Sequence, residues 1–498
     1  MMTQQRAQVE SEALDRHVAA INNGSAKNGL ARRPPIVKLD ADNPAAIADH
    51  LLKTKFMHDG LPTLIHYRGE PHLWNRNRYA VTDGLPAFVF NWMVDEVELV
   101  VSTKHGERKV APNSRRQHEL LNALAARTAL DSATRPHTWL SQPPADIGKH
   151  IVALGNGLLD LGTRTLHPPT PAYFNLSSLR ARYEPGADCP NWLHLLGDEM
   201  YPQDFQSIEA VQEMLGCFIL PDNSHQKIFA MVGPPRSSKG TVGRVTEEML
   251  GTESVCKLSL SDFTTDFGLE PTIGKLLAIV PDGRLDRNAG VDHAVEQLLS
   301  RSGNDSPPIN RKYKSAYAGD TSTCRFLLLL NEFPTLRDSS GALASRFQLI
   351  RTFKSFLGKE DKSLFEEKLL PELDAIFLWA LDGWDRLRKR GHFVVPDSAQ
   401  GLLESFGEQL DKLSGFVNEC AILDPKHVTE KSIVYDRYLK WAESHGQKKP
   451  WSPPAFFKAL GARPGVDCEY RFNEITGSTR TPEGKTERRR VKGIRLID

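Results

Sequence analysis

With 498 residues, the chain is too long for one ordinary core, and about three domains are expected. Its 63 Lys and Arg residues nearly balance 62 Asp and Glu residues, so the whole protein is not a polycation and any contact with nucleic acid must be local. No apolar run is long enough to span a bilayer, and the six cysteines stand singly without metal-ligand spacing, so no membrane span, zinc site or disulfide framework is expected.

The pattern of residues along the chain divides it into four segments. Residues 1–45 are polar and carry no apolar signal core, which predicts a flexible leader and a cytoplasmic protein. Residues 46–225 alternate helical patterns with short aromatic strand patterns and predict a mixed, mainly helical N-terminal domain. Residues 226–395 alternate apolar strands with helices, which predicts an α/β domain whose parallel sheet is covered on both faces. Residues 400–498 predict a small last domain with two helices and a terminal strand-like hairpin.

A glycine-rich turn lies between the apolar run IFAMV and the helical pattern TVGRVTEEML. Such a turn points backbone N–H groups and the positive end of a helix dipole at one place, and a lysine adds a full charge, so it predicts a phosphate-binding loop. The predicted nucleotide-binding residues are Gly233, Pro234, Pro235, Arg236, Ser237, Ser238, Lys239, Gly240 and Thr241. The usual pattern, G-x-x-x-x-G-K-[ST], would place glycine at Ser238 and a hydroxyl directly after Lys239. Ser238 can serve in this loop if its backbone stays outside the region that favours glycine.

Polar side chains also follow the next two apolar strands. KLLAIVPD ends in Asp282, and FLLLLNEFP carries Asn331 where its apolar run stops. Phosphate chemistry needs a metal ion and an oriented water, which a carboxylate and an amide at strand ends can serve. Taken singly, Asp282 also fits a helix N-cap and Asn331 a turn before Pro334. Together, strands followed by Lys239, Asp282 and Asn331 predict ATP hydrolysis.

These motifs, in this order, resemble those of a known family. GPPRSSKGT, IVPDGRL, LLSRSGNDSPPINRKYKSAYAG, FLLLLNEFP and SGALASRF resemble superfamily 3 helicases of the phage and plasmid primase type, which are ring-forming AAA+ motors. NGLLDL, ARYEPGADCPNWLHLL and EAVQEMLGCFIL resemble the domain that precedes the motor, and the tail resembles a winged helix. The resemblance implies an AAA+ P-loop ATPase core over 226–395 and a winged-helix DNA-binding domain over 400–498. No primase domain is expected, because the polar leader is too short to fold one.

The resemblance implies a role for each matching residue. The loop would bind ATP through Gly233, Lys239 and Thr241, with Mg²⁺ held by Thr241 and Asp282, and Asn331 would be the sensor. The family often has two adjacent acids on the second strand, whereas here Pro281 precedes Asp282. Either Asp282 serves both the metal and the base, or a nearby acid supplies the second function, the candidates being Asp286 and Asp305.

An arginine from a neighbouring subunit usually completes such a site. Arg346, in ALASRF, occupies the matching place, and Arg351 is a second candidate. Without the motif, Arg346 would be a surface salt-bridge residue. The implied assembly is a homo-hexamer with ATP at its subunit borders.

Two basic segments are candidates for contact with DNA. In the family, a hairpin at the position of INRKYKSAYAGD points into the central channel, where charge follows phosphates and an aromatic ring stacks on any base. The corresponding residues are Arg311, Lys312, Tyr313 and Lys314. In the tail, a basic wing would meet duplex DNA through Arg488, Arg489 and Arg490. The alternative for each segment is a solvated basic surface.

The function predicted from the sequence is an ATP-dependent DNA helicase acting in replication of a phage, plasmid or mobile element. Its expected partners are single-stranded and duplex DNA, with a separate primase or polymerase as a further candidate. A replication initiator or loader that uses ATP only as an assembly switch would share every motif. A nucleotide kinase also fits the K-G-T loop, although it would have no use for the basic hairpin.

Overall fold

The computed structural model describes residues 36–281, 291–303, 307–317, 324–332, 345–401, 412–444, 450–461, 465–468 and 490–497, and the single residues 14, 16, 18 and 463. Within these ranges, no helix is long and apolar enough to cross a membrane. The α-helices are α1 (Pro44–Lys55), α2 (Leu85–Asp95), α3 (Ser114–Thr128), α4 (Pro190–His194), α5 (Phe205–Ile219), α6 (Lys239–Leu250), α7 (Val291–Ser302), α8 (Leu373–Arg390), α9 (Lys412–Cys420), α10 (Lys431–Ser444) and α11 (Pro453–Gly461).

The β-strands are mostly short and form several small sheets around one larger sheet. They are β1 (Val37–Asp40), β2 (Met57–His58), β3 (Leu61–Pro62), β4 (Leu64–Tyr67), β5 (Glu70–Trp74), β6 (Tyr79–Val81), β7 (Val97–Thr103), β8 (Gly106–Lys109), β9 (Thr138–Trp139), β10 (Ile151–Leu154), β11 (Gly157–Asp160), β12 (Thr165–His167), β13 (Tyr173–Phe174), β14 (Ile228–Val232), β15 (Val255–Lys257), β16 (Leu277–Val280), β17 (Ile309–Arg311), β18 (Lys314–Tyr317), β19 (Arg325–Leu330), β20 (Phe347–Arg351), β21 (Ala421–Glu430) and β22 (Arg490–Leu496). The mixture of helices and strands confirms the predicted α/β class.

From residue 36 onward, the described N-terminal part contains helices α1, α2 and α3 and short sheets. Helices α1 and α3 begin at asparagine caps, where Asn43 and Asn113 each accept a hydrogen bond from a backbone N–H of the first turn. Their apolar faces, with α2, β1 and β7, bury one hydrophobic cluster. Trp74, Tyr79 and His72 of this part are buried.

The larger sheet has five parallel strands in the order β15-β16-β19-β14-β20. Its strands β14, β16 and β19 are the three apolar runs that the sequence predicted. Successive residues of the strands alternate between two hydrophobic clusters: Phe229 and Met231 belong to one, and Ile228 and Ala230 to the other. The sheet is therefore covered on both faces, which confirms that prediction.

The face of the sheet beneath α6 continues into the region before it. One hydrophobic cluster contains buried residues from 152–220 and from 229–393. At its edge, α5 packs on α8, and the buried Glu213 carboxylate accepts hydrogen bonds from Arg386 at 3.1 Å and Arg390 at 2.6 Å. A buried carboxylate needs such partners to remain charged. These contacts fix α8 against the helix that precedes the central strand.

The C-terminal part has its own hydrophobic cluster, formed by α9, α10, α11 and the strand pair β21 and β22. Trp441 and Phe456 are buried there and Phe457 packs against them, so these rings belong to the core of this part. The last strand pairs antiparallel with β21, a strand that lies before α10 and that the sequence did not indicate.

Candidate nucleotide-binding site and basic hairpin

The predicted phosphate loop, residues 233–241, joins the central strand β14 to α6. Gly233 follows the strand directly, and its backbone N–H donates to the carbonyl oxygen of Leu330 on β19 at 3.1 Å. A Cβ at Gly233 would overlap the carbonyl and hydroxyl oxygens of Thr352. Glycine is required at this position because the backbone after β20 passes against it.

The backbone of Ser238 does not meet the condition stated from the sequence. Its backbone lies in the left-handed region, with φ 65° and ψ 5°, and Arg236 in the same loop has φ 59°. A non-glycine residue held in that region costs on the order of 1–3 kcal/mol. The turn into α6 demands this conformation, and Ser238 adopts it where the usual pattern has glycine. The loop therefore keeps the glycine geometry with a strained serine.

Helix α6 begins at Lys239, and no described side chain caps its N-terminus. The first backbone N–H groups of a helix have no intrahelical acceptor and carry the positive end of the helix dipole. Gly240 is exposed and Thr241 is half-buried at this end. The arrangement can bind the oxygens of a phosphate group.

The Lys239 side chain is 6% exposed and already hydrogen-bonded within the loop. Its Nζ donates to the carbonyl oxygens of Gly233 at 2.7 Å and Pro234 at 2.8 Å, and to Ser237 Oγ at 3.0 Å. Asn331 Oδ1 lies 3.4 Å from the same nitrogen. Burial lowers the pKa of Lys239 from its usual value. Two of the predicted site residues, Lys239 and Asn331, thus meet across adjacent strands.

A segment after β20 supports the loop from outside, and the sequence analysis missed it. Thr352, 2% exposed, shares a hydrogen bond of 2.8 Å between its hydroxyl and that of Ser237. Ser355 Oγ donates to the carbonyl oxygen of Pro235 at 2.8 Å, and the Phe356 N–H donates to that of Arg236 at 2.8 Å. The strand pattern FQLIR is the only sequence signal that points to this segment.

The predicted metal and base residues are placed only in part. Asp282, Asp286 and Asp305 lie outside the described residues. Strand β16 ends at Val280, directly before Pro281. Asn331 is followed by Glu332, an exposed carboxylate that the sequence analysis did not weigh.

Within the described ranges, no group of three acidic, histidine or cysteine side chains could hold a metal ion. Mg²⁺ at a nucleotide takes only one or two protein oxygens and completes its shell with phosphates and water. The Thr241 hydroxyl at the start of α6 fits such a ligand.

The two candidate arginines lie at opposite ends of β20. Arg346 stands just before the strand and donates to Gln226 Oε1, beside the start of β14. Arg351 ends the strand opposite Val232, next to the phosphate loop, and its guanidinium stacks on Phe353 at 4.7 Å. At about 3.3 Å per residue, the strand separates the two arginines by roughly 16 Å. Arg346 therefore lies at the end of β20 that is far from the phosphate loop of its own chain.

The basic segment between α7 and β19 forms a two-stranded hairpin, β17 and β18, with its turn at Lys312 and Tyr313. The Tyr313 side chain is 93% exposed and its backbone is left-handed, with φ 60°. Lys312 is exposed beside it, with Nζ 5.3 Å from the ring centre. These two residues of the predicted DNA contact are open to solvent.

The other two basic residues of the hairpin are bound to the N-terminal part. Glu70 accepts hydrogen bonds from Arg311 Nη1 at 2.9 Å and from Lys314 Nζ at 2.5 Å, a contact hereafter named the Glu70 cluster. Burial alone would raise the pKa of Glu70, but the hydrogen bonds and charges of Lys314 and Arg311 lower it below its usual value. The Arg311 side chain is 9% exposed, so it is an ion-pair residue in this conformation rather than a free surface charge.

One of the three tail arginines predicted to contact DNA lies in the described part of the chain. Arg488 and Arg489 lie outside the described residues. Arg490 is the first residue of β22 and pairs with Glu430 of β21. The strand therefore carries one of the three predicted wing arginines.

Two family models match parts of the chain. Residues 108–200 match a family described as D5 N terminal like, and residues 231–346, which contain the phosphate loop, the hairpin and Asn331, match a family of unknown function (DUF5906). No curated protein matches the chain. Among solved structures, the A form apo structure of the NrS-1 C terminal region is 14% identical with a TM-score of 0.44, and covers 86% of this chain and 88% of its own. A second structure of that region, residues 305–718, is 13% identical with a TM-score of 0.46 over 86% of this chain and 88% of its own.

Proposed function

We propose that the chain is an ATP-dependent DNA helicase, a ring-forming superfamily 3 motor that acts in replication of a phage, plasmid or mobile element. The observation that carries the proposal is the contact between Lys239 Nζ, in the first residue of α6, and Asn331 Oδ1, directly after the adjacent strand β19, at an uncapped helix N-terminus. In this arrangement one residue can hold a terminal phosphate while its neighbour senses it or orients the attacking water. The D5 N terminal like match over residues 108–200 supports the same assignment.

Bound Mg·ATP would supply the phosphoanhydride bond that is hydrolysed and the positive charge of the metal ion. The first N–H groups of α6 and the Lys239 ammonium would hold its phosphates, and the Thr241 hydroxyl would be a ligand to the metal. Lys239 has three protons but four acceptors in the described contacts, so phosphate binding would replace some of these bonds. The loop would open around the phosphates as these bonds exchange.

The position of Arg346 supports an oligomer. If Arg346 is the arginine that completes a nucleotide site, it cannot reach the phosphate loop of its own chain and would serve the loop of another copy. ATP would then lie at a subunit border. Such fingers contribute on the order of 10³–10⁵ in rate in other nucleotide hydrolases. The hexamer, the AAA+ core over 226–395 and the winged helix over 400–498 belong to the same proposal; the order of helix, strand, two helices and strand from α9 to β22 supports the last.

The second candidate function is an ATP-switched initiator or loader without unwinding activity. The Glu70 cluster favours it, because Arg311 and Lys314 are held by a carboxylate instead of being available to phosphates. In a motor, DNA must displace Glu70 or grip only through the hairpin tip. In a switch, the hairpin need never be released.

Strand displacement separates the two candidates. Purified wild-type protein, the Lys239→Ala variant and a Lys312→Ala, Tyr313→Ala double variant are given ATP and a forked duplex with a fluorescent strand. A motor should displace the strand when ATP is present, and the Lys239→Ala variant should not. The Lys312→Ala, Tyr313→Ala variant should lose strand displacement but keep basal ATP hydrolysis. ATP hydrolysis by the wild type without any displacement would favour the switch.

A further inference from the structure

A cavity of about 220 Å³ lies where the N-terminal part, the segment before β16, the end of α7 and the root of the hairpin meet. We name it the junction cavity; the described residues that line it include Arg135, His137, Ser177, Arg301, Ile309 and Tyr317. Ile309 and Tyr317 pair across the first rung of the hairpin. None of the phosphate-loop residues lines it, so it is a separate site.

Arg301 is a buried charge without a carboxylate partner in the described part of the chain. It lies in the last turn of α7, is 5% exposed, and donates Nη1 to the carbonyl oxygen of Pro307 at 2.5 Å and Nη2 to that of Pro308 at 3.1 Å. Its Nε is buried and has no hydrogen-bond partner. Burial lowers the pKa of Arg301, but a guanidinium remains charged in proteins. A buried charge of this kind is costly until an anion pairs with it.

The other polar groups of the junction cavity add no negative charge. Burial lowers the pKa of His137 to about 4, so its imidazole is neutral at neutral pH, and its Nε2 lies 3.5 Å from Ser177 Oγ. Arg135 is exposed at the rim. Among the described lining residues there is no aspartate or glutamate, so within this part of the chain no carboxylate balances the charges of Arg135 and Arg301.

The size and the apolar walls narrow the class of anion. A water molecule takes about 30 Å³ of liquid, so the cavity has the volume of about seven waters, which is more than a small inorganic anion needs. One wall is apolar and aromatic, with Ile309 and Tyr317 at the hairpin root. An aromatic ring of this kind can contact a sugar or a base of any identity.

We propose that the junction cavity binds a nucleotide by its terminal phosphate, with Arg135 and Arg301 pairing to the phosphate oxygens and Ile309 and Tyr317 against the sugar or base. Bidentate pairing with phosphate is the geometry that guanidinium groups favour. The nucleotide is either a free nucleoside monophosphate or the 5′-phosphorylated end of a nucleic-acid strand. Because two elements of the hairpin line the cavity, the ligand would also fix the hairpin root. The inference does not depend on ATP hydrolysis at the phosphate loop.

The test uses full-length protein that carries Lys239→Ala, so that the phosphate loop contributes little binding. Deoxythymidine monophosphate, inorganic phosphate, and an eight-residue oligodeoxythymidine with a 5′-phosphate or a 5′-hydroxyl are titrated by calorimetry. The same titrations are made with Arg135→Ala and with Arg301→Lys added. Arg135→Ala changes an exposed side chain and should fold, whereas Arg301→Lys keeps the charge but loses Nε. Arg108→Ala, an exposed arginine on β8, is the control.

We expect one equivalent of the monophosphate to bind in competition with inorganic phosphate, with affinity lowered tenfold or more by Arg135→Ala and by Arg301→Lys, and unchanged by Arg108→Ala. Tighter binding of the 5′-phosphorylated strand than of the 5′-hydroxyl strand and of the free monophosphate would identify a strand end as the source. If the free monophosphate binds as tightly as the 5′-phosphorylated strand, the source is a metabolite. Absence of saturable binding, or binding that is insensitive to Arg135→Ala, would overturn the proposal.

Discussion

Removing the negative charge of the Glu70 cluster should strengthen DNA binding instead of weakening it. We expect the Glu70→Gln variant to bind single-stranded DNA more tightly than the wild type. Glu70 holds Arg311 and Lys314, the two basic residues that flank the turn of the hairpin. A DNA phosphate can pair with either residue only if the carboxylate gives it up. Glutamine keeps the shape and one hydrogen-bond acceptor but removes the negative charge, so the hairpin should stay folded while its cations become available.

The size of the effect follows from the burial of the cluster. The hydrogen bond between the nearly buried Arg311 and the Glu70 carboxylate is charge-assisted, and such bonds contribute roughly 1.5–3 kcal/mol. If about half of that, roughly 0.75–1.5 kcal/mol, is recovered on DNA, affinity should rise about three- to tenfold, since 1.4 kcal/mol corresponds to a factor of ten. Two additional phosphate contacts on a single strand should also steepen the dependence of log K on log salt by about 1.4, at about 0.7 for each contact.

The assay is fluorescence anisotropy of a labelled oligodeoxythymidine, titrated at several salt concentrations. Glu270→Gln is the matched control, because Glu270 accepts only the backbone N–H of Lys312 from the hairpin, at 3.1 Å, and binds no hairpin cation. Its affinity and salt slope should equal those of the wild type. Equal affinity and salt slope for Glu70→Gln and wild type would refute the reasoning, because Glu70 would then not compete with DNA for Arg311 and Lys314. Weaker binding would show instead that the cluster holds the hairpin in its binding shape.

Three further predictions concern the phosphate loop and the junction cavity. Thr352→Val removes the hydroxyl bonded to Ser237 and should raise the KM for ATP roughly fivefold, as expected for about 1 kcal/mol, with Thr352→Ser restoring it; an unchanged KM would remove Thr352 from the site. Ser238→Gly should keep ATP turnover at or above the wild-type rate, whereas Ser238→Val, a β-branched residue at φ 65°, should lose most of it; equal turnover would contradict the left-handed turn. His137 has a folded pKa of about 4 against 6.5 in the unfolded chain, so its contribution to stability is present above pH 6.5 and is lost as pH falls towards 4. His137→Gln should therefore show a smaller drop in Tm between pH 7.5 and pH 5 than the wild type, and an equal drop would place the pH sensitivity elsewhere.

The sheet could be predicted where strands are continuous apolar runs, and less well elsewhere. Strands β14, β16 and β19 are buried along their full length, so their sequences carry the signal. The two edge strands β15 and β20 were missed, because VCK is short and FQLIR places the polar Gln348 in a buried position. Missing β20 also hid Thr352, which supports the phosphate loop.

The candidate site was predictable in its local parts and not in its long-range contacts. The loop around Lys239 and the polar residue at Asn331 follow from a turn and a strand end, and these lie where the pattern placed them. The partner of the hairpin could not be predicted, because Glu70 and Arg311 are 241 residues apart and only the folded chain brings them together. Arg346 was identified by its motif, but its distance from the phosphate loop depends on the register of β20.

ATP hydrolysis with and without single-stranded DNA tests the central claim most directly. The wild type is compared with Lys239→Ala, which removes the ammonium that the loop carbonyls and Asn331 hold in place. The account predicts turnover that depends on Lys239 and rises several-fold when DNA is added. Hydrolysis that is indifferent to DNA, or that persists at the wild-type rate in Lys239→Ala, would contradict it.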